Sequence, residues 1–173
     1  MRRVHDRGRP GYLRTVEMLL AKVRGEPYTT EVPIYRPEQV PAALPLADVR
    51  AARLAMVTTG GLVRHGNPER QVSANATRYH RHSVKELQGL SGQDWEVYHA
   101  GYFNAIANAN PNYILPLPFL RELERRGEVG GLYEWMYALP GVSTSVANSQ
   151  GFGRHIAREL AADGVQGVLL VAT

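Results

Sequence analysis

Apolar residues near the start of the chain follow a helical spacing. Between positions 13 and 23, Leu and Val recur three or four residues apart, and Gly25 supplies a suitable helix end. The segment after it, EPYTTEVPIYRPEQVPAALP, is rich in prolines, which remove amide donors and fix φ. We predict an N-terminal helix within residues 1–25 and a proline-rich, extended connector at 26–50.

Short apolar runs and helical patterns alternate in the rest of the chain. The apolar runs predict buried strands, and the helical patterns end at Gly127 and Gly164. The elements read strand, helix, strand, helix, strand, at 54–58, 118–127, 133–138, 145–164 and 165–172. This order predicts an α/β fold for residues 51–173, a layered domain with a largely parallel sheet and the character of an incomplete doubly wound fold.

Two stretches between these elements are polar and rich in Gly, Asn or His, at 60–84 and 98–118. We predict that both are long loops with at most a short element, and long loops in compact domains are commonly functional. Asn67 lies in the first loop, and Asn110 opens an Asn-Pro-Asn turn signal in the second.

Composition narrows the class of protein. With 173 residues, 44% of them hydrophobic and 21% charged, the chain is typical of one soluble domain. It has no apolar run of membrane-spanning length and no signal-peptide pattern, so we expect a cytoplasmic protein without membrane contact. The net charge of +4 is concentrated in arginines near the start, which favours a solvated basic face over specific nucleic-acid binding. Without cysteine, the chain has no disulfide, thiolate metal site or thiol nucleophile.

The strongest candidate chemistry follows the first predicted strand, in VTTGGLVRHGN. Gly60 and Gly61 would let backbone amides approach an anion closely, although the spacing alone favours the alternative of a tight turn that needs positive φ. The run matches neither a Walker A loop nor the dinucleotide fingerprint. His80 and His82 could share one face of a strand, but the neighbouring arginines disfavour a metal ion. His99 precedes a small Ala-Gly pair, where backbone could approach a ligand.

A second candidate lies in ALPGVSTSVANSQ, between a strand end and a helix start. Thr144, Ser145 and Asn148 together with unpaired helix amides would form an anion or carboxylate site, and ordinary N-capping is a compatible alternative. A serine hydrolase is not indicated, because no Gly-x-Ser-x-Gly elbow is present.

Taken together and in order, several runs identify a family resemblance. They are LAMVTTGGLVRHGNPER, NATRYHRHSV, YHAGYFNAIANANPNYILPLPFLRELERRGEVGGLYEWMYALPG, STSVANSQGFGRHIARELAADG and VQGVLLVAT. The chain resembles the selenoprotein B subunit of glycine, sarcosine and betaine reductases over nearly its whole length, most clearly from Ala52 to Thr173.

The resemblance implies an anaerobic reductive cleavage of a C–N bond in a small amino acid or a betaine-type substrate. In that family a partner subunit of component B holds the substrate through a pyruvoyl-derived imine. A selenolate attacks the α-carbon and expels the amine, and the carboxymethyl group passes to selenoprotein A. Selenolate is a soft nucleophile that is ionised at neutral pH, a state that cysteine enzymes reach by lowering the thiol pKa.

The resemblance also implies where the nucleophile stands. In the family, selenocysteine directly follows the strand that corresponds to GVLLVAT, so we expect it directly after Thr173 and expect no catalytic residue within the chain. The hypothesis that follows is a chain truncated at a UGA codon read as a stop and inactive by itself. The competing hypothesis is a non-catalytic α/β binding or scaffold paralogue that docks to partner subunits. For the substrate pocket we predict residues at the ends of the strands: Gly60, Gly61, Asn67, His99, Asn110, Thr144, Ser145 and Asn148.

Overall fold

The N-terminal helix forms as its spacing predicts. The computed structural model describes residues 8–30 and 38–173, and the chain divides into two units, residues 1–43 and 44–173. In the first unit, α1 spans Gly11–Arg24 and buries none of its side chains. Gly25 ends it with a left-handed φ of 71°, and the Glu26 amide donates to the Ala21 carbonyl at 2.9 Å. The predicted connector lies partly outside the described residues, at 31–37.

The second unit has a four-stranded sheet, a two-stranded sheet and three α-helices. The strands are β1 (Arg53–Thr58), β2 (Leu62–Arg64), β3 (His80–Ser83), β4 (Trp95–Val97), β5 (Gly131–Ala138) and β6 (Gly167–Val171). The helices are α2 (Asn104–Ala109), α3 (Leu117–Arg125) and α4 (Val146–Ala162), with a 3₁₀ turn at Pro111–Tyr113. The four-stranded sheet has the order β3-β5-β1-β6, and β2 pairs with β4.

The larger sheet is mainly parallel. β1 runs parallel to β5 on one side and to β6 on the other, with Val57 opposite Tyr137 and Leu170, whereas β3 is antiparallel to β5. β6 is an edge strand, and Leu170 on it is 72% exposed. Three of the four strands are therefore parallel, which confirms the predicted α/β class.

Side chains alternate between the two faces of this sheet, and each face has its own core. On one face Met56 and Met136 pack with α3 and with the β2–β4 pair, through residues that include Leu117, Leu62 and Trp95. On the other face Ala55, Val57, Tyr133 and Tyr137 pack with Ile156 and Leu160 of α4. Helices thus cover both faces, the layered arrangement that the sequence pattern predicts.

The topology defines a crevice at the carboxyl ends of β1 and β6. In the sheet, β5 lies on one side of β1. After β5 the chain passes through α4 to β6, which lies on the other side of β1. Open α/β sheets bind ligands outside the carboxyl ends of strands at such a point of reversal. This edge of the sheet is where a functional site is expected.

The two polar stretches contain more structure than the sequence indicates. The first holds β2 and β3, and the second holds α2 and the 3₁₀ turn, while β4 lies between the two stretches. These elements have three to six residues, which is too short for a clear hydrophobic period, and pairing with distant residues stabilises them. Trp95, for example, lies opposite Arg64 in the β2–β4 pair.

Candidate functional site

Hydrogen bonds hold the carboxyl ends of β1 and β6 together. The Thr59 amide donates to the Val171 carbonyl at 3.0 Å, and the Thr173 amide donates to Thr59 Oγ1 at 3.3 Å. One residue earlier, Thr58 is fully buried, and its Oγ1 accepts the Gly60 amide at 3.1 Å. The two threonine hydroxyls thus shape the turn that leaves β1 beside the end of β6.

Gly60 and Gly61 are required for close packing at this turn. Gly61 has a φ of 72°, and a Cβ there would collide with the Tyr98 carbonyl oxygen, while a Cβ on Gly60 would collide with Ile114. The Gly61 amide donates to the Leu139 carbonyl at 3.0 Å, and the Gly60 amide is bonded to Thr58. Both amides are therefore engaged within the protein, and the tight turn accounts for both glycines.

His99 is buried next to Gly61, with 4% of its surface exposed. Its Nδ1 accepts the Gly101 amide at 3.1 Å, which assigns the ring proton to Nε2. Within the described residues Nε2 is buried without a hydrogen-bond partner. Burial lowers the pKa of His99 below its usual value, so the ring is a neutral donor. An unpaired buried donor in this position suits the carboxylate or carbonyl oxygen of a ligand.

Tyr102 connects His99 to the glycine turn. The two rings lie 4.5 Å apart between centroids at 32°, and the Tyr102 hydroxyl donates to the Gly60 carbonyl at 2.7 Å. Burial raises the pKa of Tyr102 to about 12, so the hydroxyl remains protonated and keeps this bond at neutral pH. Sequence reasoning missed Tyr102, Thr58 and Thr59, because their roles depend on contacts with the sheet edge.

Thr144, Ser145 and Asn148 form a second group, at the end of the loop between β5 and α4 and in the first turn of α4. Thr144 Oγ1 donates to the Pro140 carbonyl at 2.8 Å and accepts the Ala76 amide at 2.9 Å, and Asn148 Nδ2 donates to the Ala76 carbonyl at 2.9 Å. Ser145 Oγ accepts the Asn148 amide at 3.2 Å as the N-cap of α4. The compatible N-capping alternative is thus observed, and the group clamps the loop at Ala76.

The second group is joined to the first through the backbone. The Gly141 amide donates to the Thr59 carbonyl at 2.8 Å, and a Cβ on Gly141 would approach Thr59 Cβ to 2.9 Å. The Asn75 amide donates to the Val142 carbonyl at 3.0 Å. The loops that follow β1 and β5 therefore meet at one edge of the sheet, beside the end of β6.

Asn67 and Asn110 close local loops instead. Asn67 has a φ of 46°, and its side chain makes two hydrogen bonds with the Gln71 backbone at 2.8 and 2.9 Å. Asn110 Oδ1 accepts the amide and the side-chain nitrogen of Asn112 at 3.2 and 2.8 Å. In the described part of the chain, no hydrogen bond joins either asparagine to the group around His99.

His80 and His82 lie on one face of β3, as their spacing predicts. Burial lowers the pKa of His82 to about 4, so it is neutral at pH 7, and its Nδ1 lies 3.7 Å from Glu69 Oε1. Arg64 stacks on the Trp95 ring beside it, at 4.0 Å from the ring centroid. Among residues 8–30 and 38–173, no three His, Cys, Asp or Glu side chains form a group that could hold a metal ion.

The fold and the site define a class: an α/β protein whose candidate site lies at the carboxyl ends of parallel strands and holds no metal-ligand set in its described residues. Comparison with known proteins is more specific. The family model described as glycine/sarcosine/betaine reductase selenoprotein B matches residues 1–173. The chain belongs to this family.

Curated relatives include component B subunits named for glycine, betaine and sarcosine reductase complexes. The glycine reductase complex component B subunit gamma of Symbiobacterium thermophilum is 40% identical over 163 residues, 94% of this chain and 38% of the relative. The betaine reductase complex component B subunit beta of Peptoclostridium acidaminophilum is 40% identical over 166 residues, which cover 96% of this chain and 38% of the relative. The sarcosine reductase complex component B subunit beta of the same organism is 37% identical over 163 residues, which cover 94% of this chain and 37% of the relative.

The chain thus spans less than two fifths of the length of these relatives. No solved structure matches it significantly. Within the described residues, none of the helices combines the length and the apolar character that crossing a membrane requires.

Proposed function

We propose that this chain is part of the component B subunit of an amine reductase complex acting on glycine, sarcosine or betaine, and that its reaction edge is the crevice between the carboxyl ends of β1 and β6. The observation that carries the proposal is the meeting of these two strand ends, where Thr173 is hydrogen-bonded to Thr59 beside Gly60. Family membership supports the chemistry, and the topology supports the position.

In this proposal the selenocysteine follows Thr173 and lies next to the turn that leaves β1. Its selenolate attacks the α-carbon of the substrate, a C–Se bond forms, and the amine leaves with the electron pair of the broken C–N bond. Residues of this chain position the nucleophile: Thr59 holds the end of β6, while Tyr102 and Thr58 hold Gly60. For a substrate amine that has an N–H bond, the pyruvoyl group that would hold it as an imine belongs to a partner subunit, whereas the quaternary nitrogen of betaine cannot form that imine. Selenoprotein A receives the carboxymethyl group.

His99 is the residue of this edge that is best suited to contact the substrate. It is a neutral Nε2–H donor with no partner in the described residues, next to the turn at Gly61. A carboxylate oxygen is the complementary acceptor, and a hydrogen bond to a charged acceptor contributes about 1.5–3 kcal/mol. Thr144, Ser145 and Asn148 support the surrounding loop through Ala76, and Asn67 and Asn110 support loops further out.

The nucleotides that follow codon 173 test the position of the nucleophile. We expect UGA followed by an open frame that contains cysteine codons. A UAA or UAG codon, or a frame without cysteine, would contradict the proposal and favour the non-catalytic scaffold protein that docks to partner subunits.

Substitution of Thr59 tests the reaction edge in the full-length protein, assembled with its partner subunits and selenoprotein A. Thr59→Val removes the acceptor for the Thr173 amide, and we expect amine release to fall about tenfold, as expected for a nucleophile displaced from its attack geometry. Thr59→Ser keeps the hydroxyl and should retain most of the rate. Equal rates for both variants would show that this contact does not position the nucleophile. The 173-residue chain by itself should release no amine.

A further inference from the structure

A small apolar pocket lies beside Gly60 and has no role in the proposed chemistry so far. Its volume is about 300 Å³, at the lower end of the range for ligand pockets. None of its lining side chains carries a charge, and three of the six are aromatic. The lining residues are Tyr102, Phe103, Ile106, Ala107, Tyr113 and Ile114. The pocket therefore combines aliphatic and aromatic side chains in its wall.

Two contacts connect this pocket to the reaction edge. The Tyr102 hydroxyl donates to the Gly60 carbonyl at 2.7 Å, and Ile114 packs where a Cβ of residue 60 would stand. Ile114 and Ala107 are buried, at 5% and 3% exposure, so the base of the pocket is fixed. Phe103 and Tyr113 are 76% and 67% exposed and form its open side.

The apolar lining of the pocket discriminates between a primary ammonium group and a methylated one. A primary ammonium has three N–H donors, and moving it into an apolar pocket without acceptors leaves them unsatisfied. A trimethylammonium group has no N–H to satisfy, and its methyl surface and delocalised charge fit aromatic faces. The pocket thus favours a fully methylated nitrogen over a primary one.

We propose that the pocket formed by Tyr102, Phe103, Ile106 and Tyr113 binds the methylated ammonium of a betaine-type substrate. The inference rests on the proposed function and names the substrate class for the same site. A curated betaine-reductase relative and a glycine-reductase relative are equally similar to the chain, at 40% identity, so similarity does not select between the two substrates and the inference rests on the pocket lining. The position next to Gly60 places the bound nitrogen near the edge where a C–N bond is to be broken.

A matched pair of probes tests the charge requirement in the full-length protein. Betaine and 3,3-dimethylbutyrate have nearly the same shape and the same carboxylate, but only betaine carries a positive charge. Each has one sharp methyl signal, so broadening of that signal on titration gives both dissociation constants by NMR. We expect betaine to bind about tenfold tighter than 3,3-dimethylbutyrate, which corresponds to about 1.4 kcal/mol. Glycine should not compete with betaine.

Aromatic substitutions locate the binding. Phe103→Leu and Tyr113→Leu should each weaken betaine binding about fivefold, because each removes one ring and keeps an apolar side chain. Tyr113→Phe keeps the ring and should bind within twofold of the original chain. Phe119→Leu is the matched control, since Phe119 is a 65% exposed aromatic residue on α3 outside the pocket. Thermal melting verifies that each variant is folded.

Three results would overturn the inference. The first is equal affinity for the two probes, and the second is betaine binding that survives both ring removals. The third is concentration-dependent self-association that the ring removals abolish, which would make the pocket an interface between copies. These failures leave the proposed function standing if the full-length complex releases amine from glycine. Failure of that complex to release amine from any substrate would instead contradict the proposed function, whatever the binding data show.

Discussion

Replacing Gly61 with alanine tests whether the turn after β1 depends on close backbone packing. Gly61 has a φ of 72°. A Cβ added there would collide with the carbonyl oxygen of Tyr98 and would lie 3.2 Å from His99 Cβ. The obstruction is backbone, so relief requires the turn to separate from the segment at residues 98–99. That movement would strain the hydrogen bond from the Tyr98 amide to the Gly61 carbonyl, now 2.8 Å long.

Gly66 is a matched control in the same stretch of chain. Its φ is 79°, yet a Cβ there would have no atom within 4 Å. Alanine at either position incurs about 1–2 kcal/mol for the left-handed conformation, offset by about 0.4–1 kcal/mol from the stiffer unfolded chain. At Gly61 alone, overpacking adds about 1–3 kcal/mol. We therefore expect losses of about 3 kcal/mol for Gly61→Ala and about 1 kcal/mol for Gly66→Ala.

Urea unfolding followed by circular dichroism measures both losses, with the slope m as a check that the transition stays comparable. For a chain of this size the losses correspond to melting temperatures lower by roughly 6–12 °C and 2–4 °C. Equal free energies of unfolding for the two variants would refute the reasoning, because they would show that the approach of Gly61 to Tyr98 adds nothing to the conformational cost.

Three further predictions concern side chains around the site. Tyr102→Phe removes the donor to the Gly60 carbonyl and should lower the free energy of unfolding by about 1 kcal/mol in urea titrations; no loss would mean that this bond is not formed in solution. Thr144→Val removes the bonds to Pro140 and Ala76 and should cost about 1–3 kcal/mol in the same assay, whereas Thr144→Ser should restore most of it. His82 is 5% exposed, and burial lowers its pKa to about 4 from an ordinary 6.5, so the unfolded chain takes up the proton first as the pH falls. Between pH 6.5 and 4 the original chain should therefore lose stability relative to His82→Gln, by about 2 kcal/mol at pH 5; parallel pH profiles would contradict this.

The elements with strong periodicity were predictable from the sequence. The run at 54–58 is β1, the pattern up to Gly127 is α3, and Ser145 caps α4. Each has a local signal, either an apolar period or a residue that suits one end of a helix. The short strands β2, β3 and β4 have no such signal, because partners distant in the chain stabilise them.

The proximity of some candidate site residues was predictable from the sequence, whereas their contacts were not. Gly60, Gly61 and His99 meet at the end of β1, as expected if loops after parallel strands share one edge. The amides expected to hold an anion are instead bonded to Thr58 and Leu139. That outcome depends on where β5 lies relative to β1, which is a property of the assembled sheet.

Local patterns and motifs in a fixed order were enough to predict the class of fold, the order of the main elements and the family. The chemistry of individual groups depends on contacts that form when the elements pack. The tautomer of His99 depends on the Gly101 amide, and the alignment of Tyr102 depends on a carbonyl 42 residues earlier in the chain. The physical reason is that periodicity reports which face of an element is buried, whereas hydrogen bonds and pKa values depend on which groups the packed elements bring within a few ångströms.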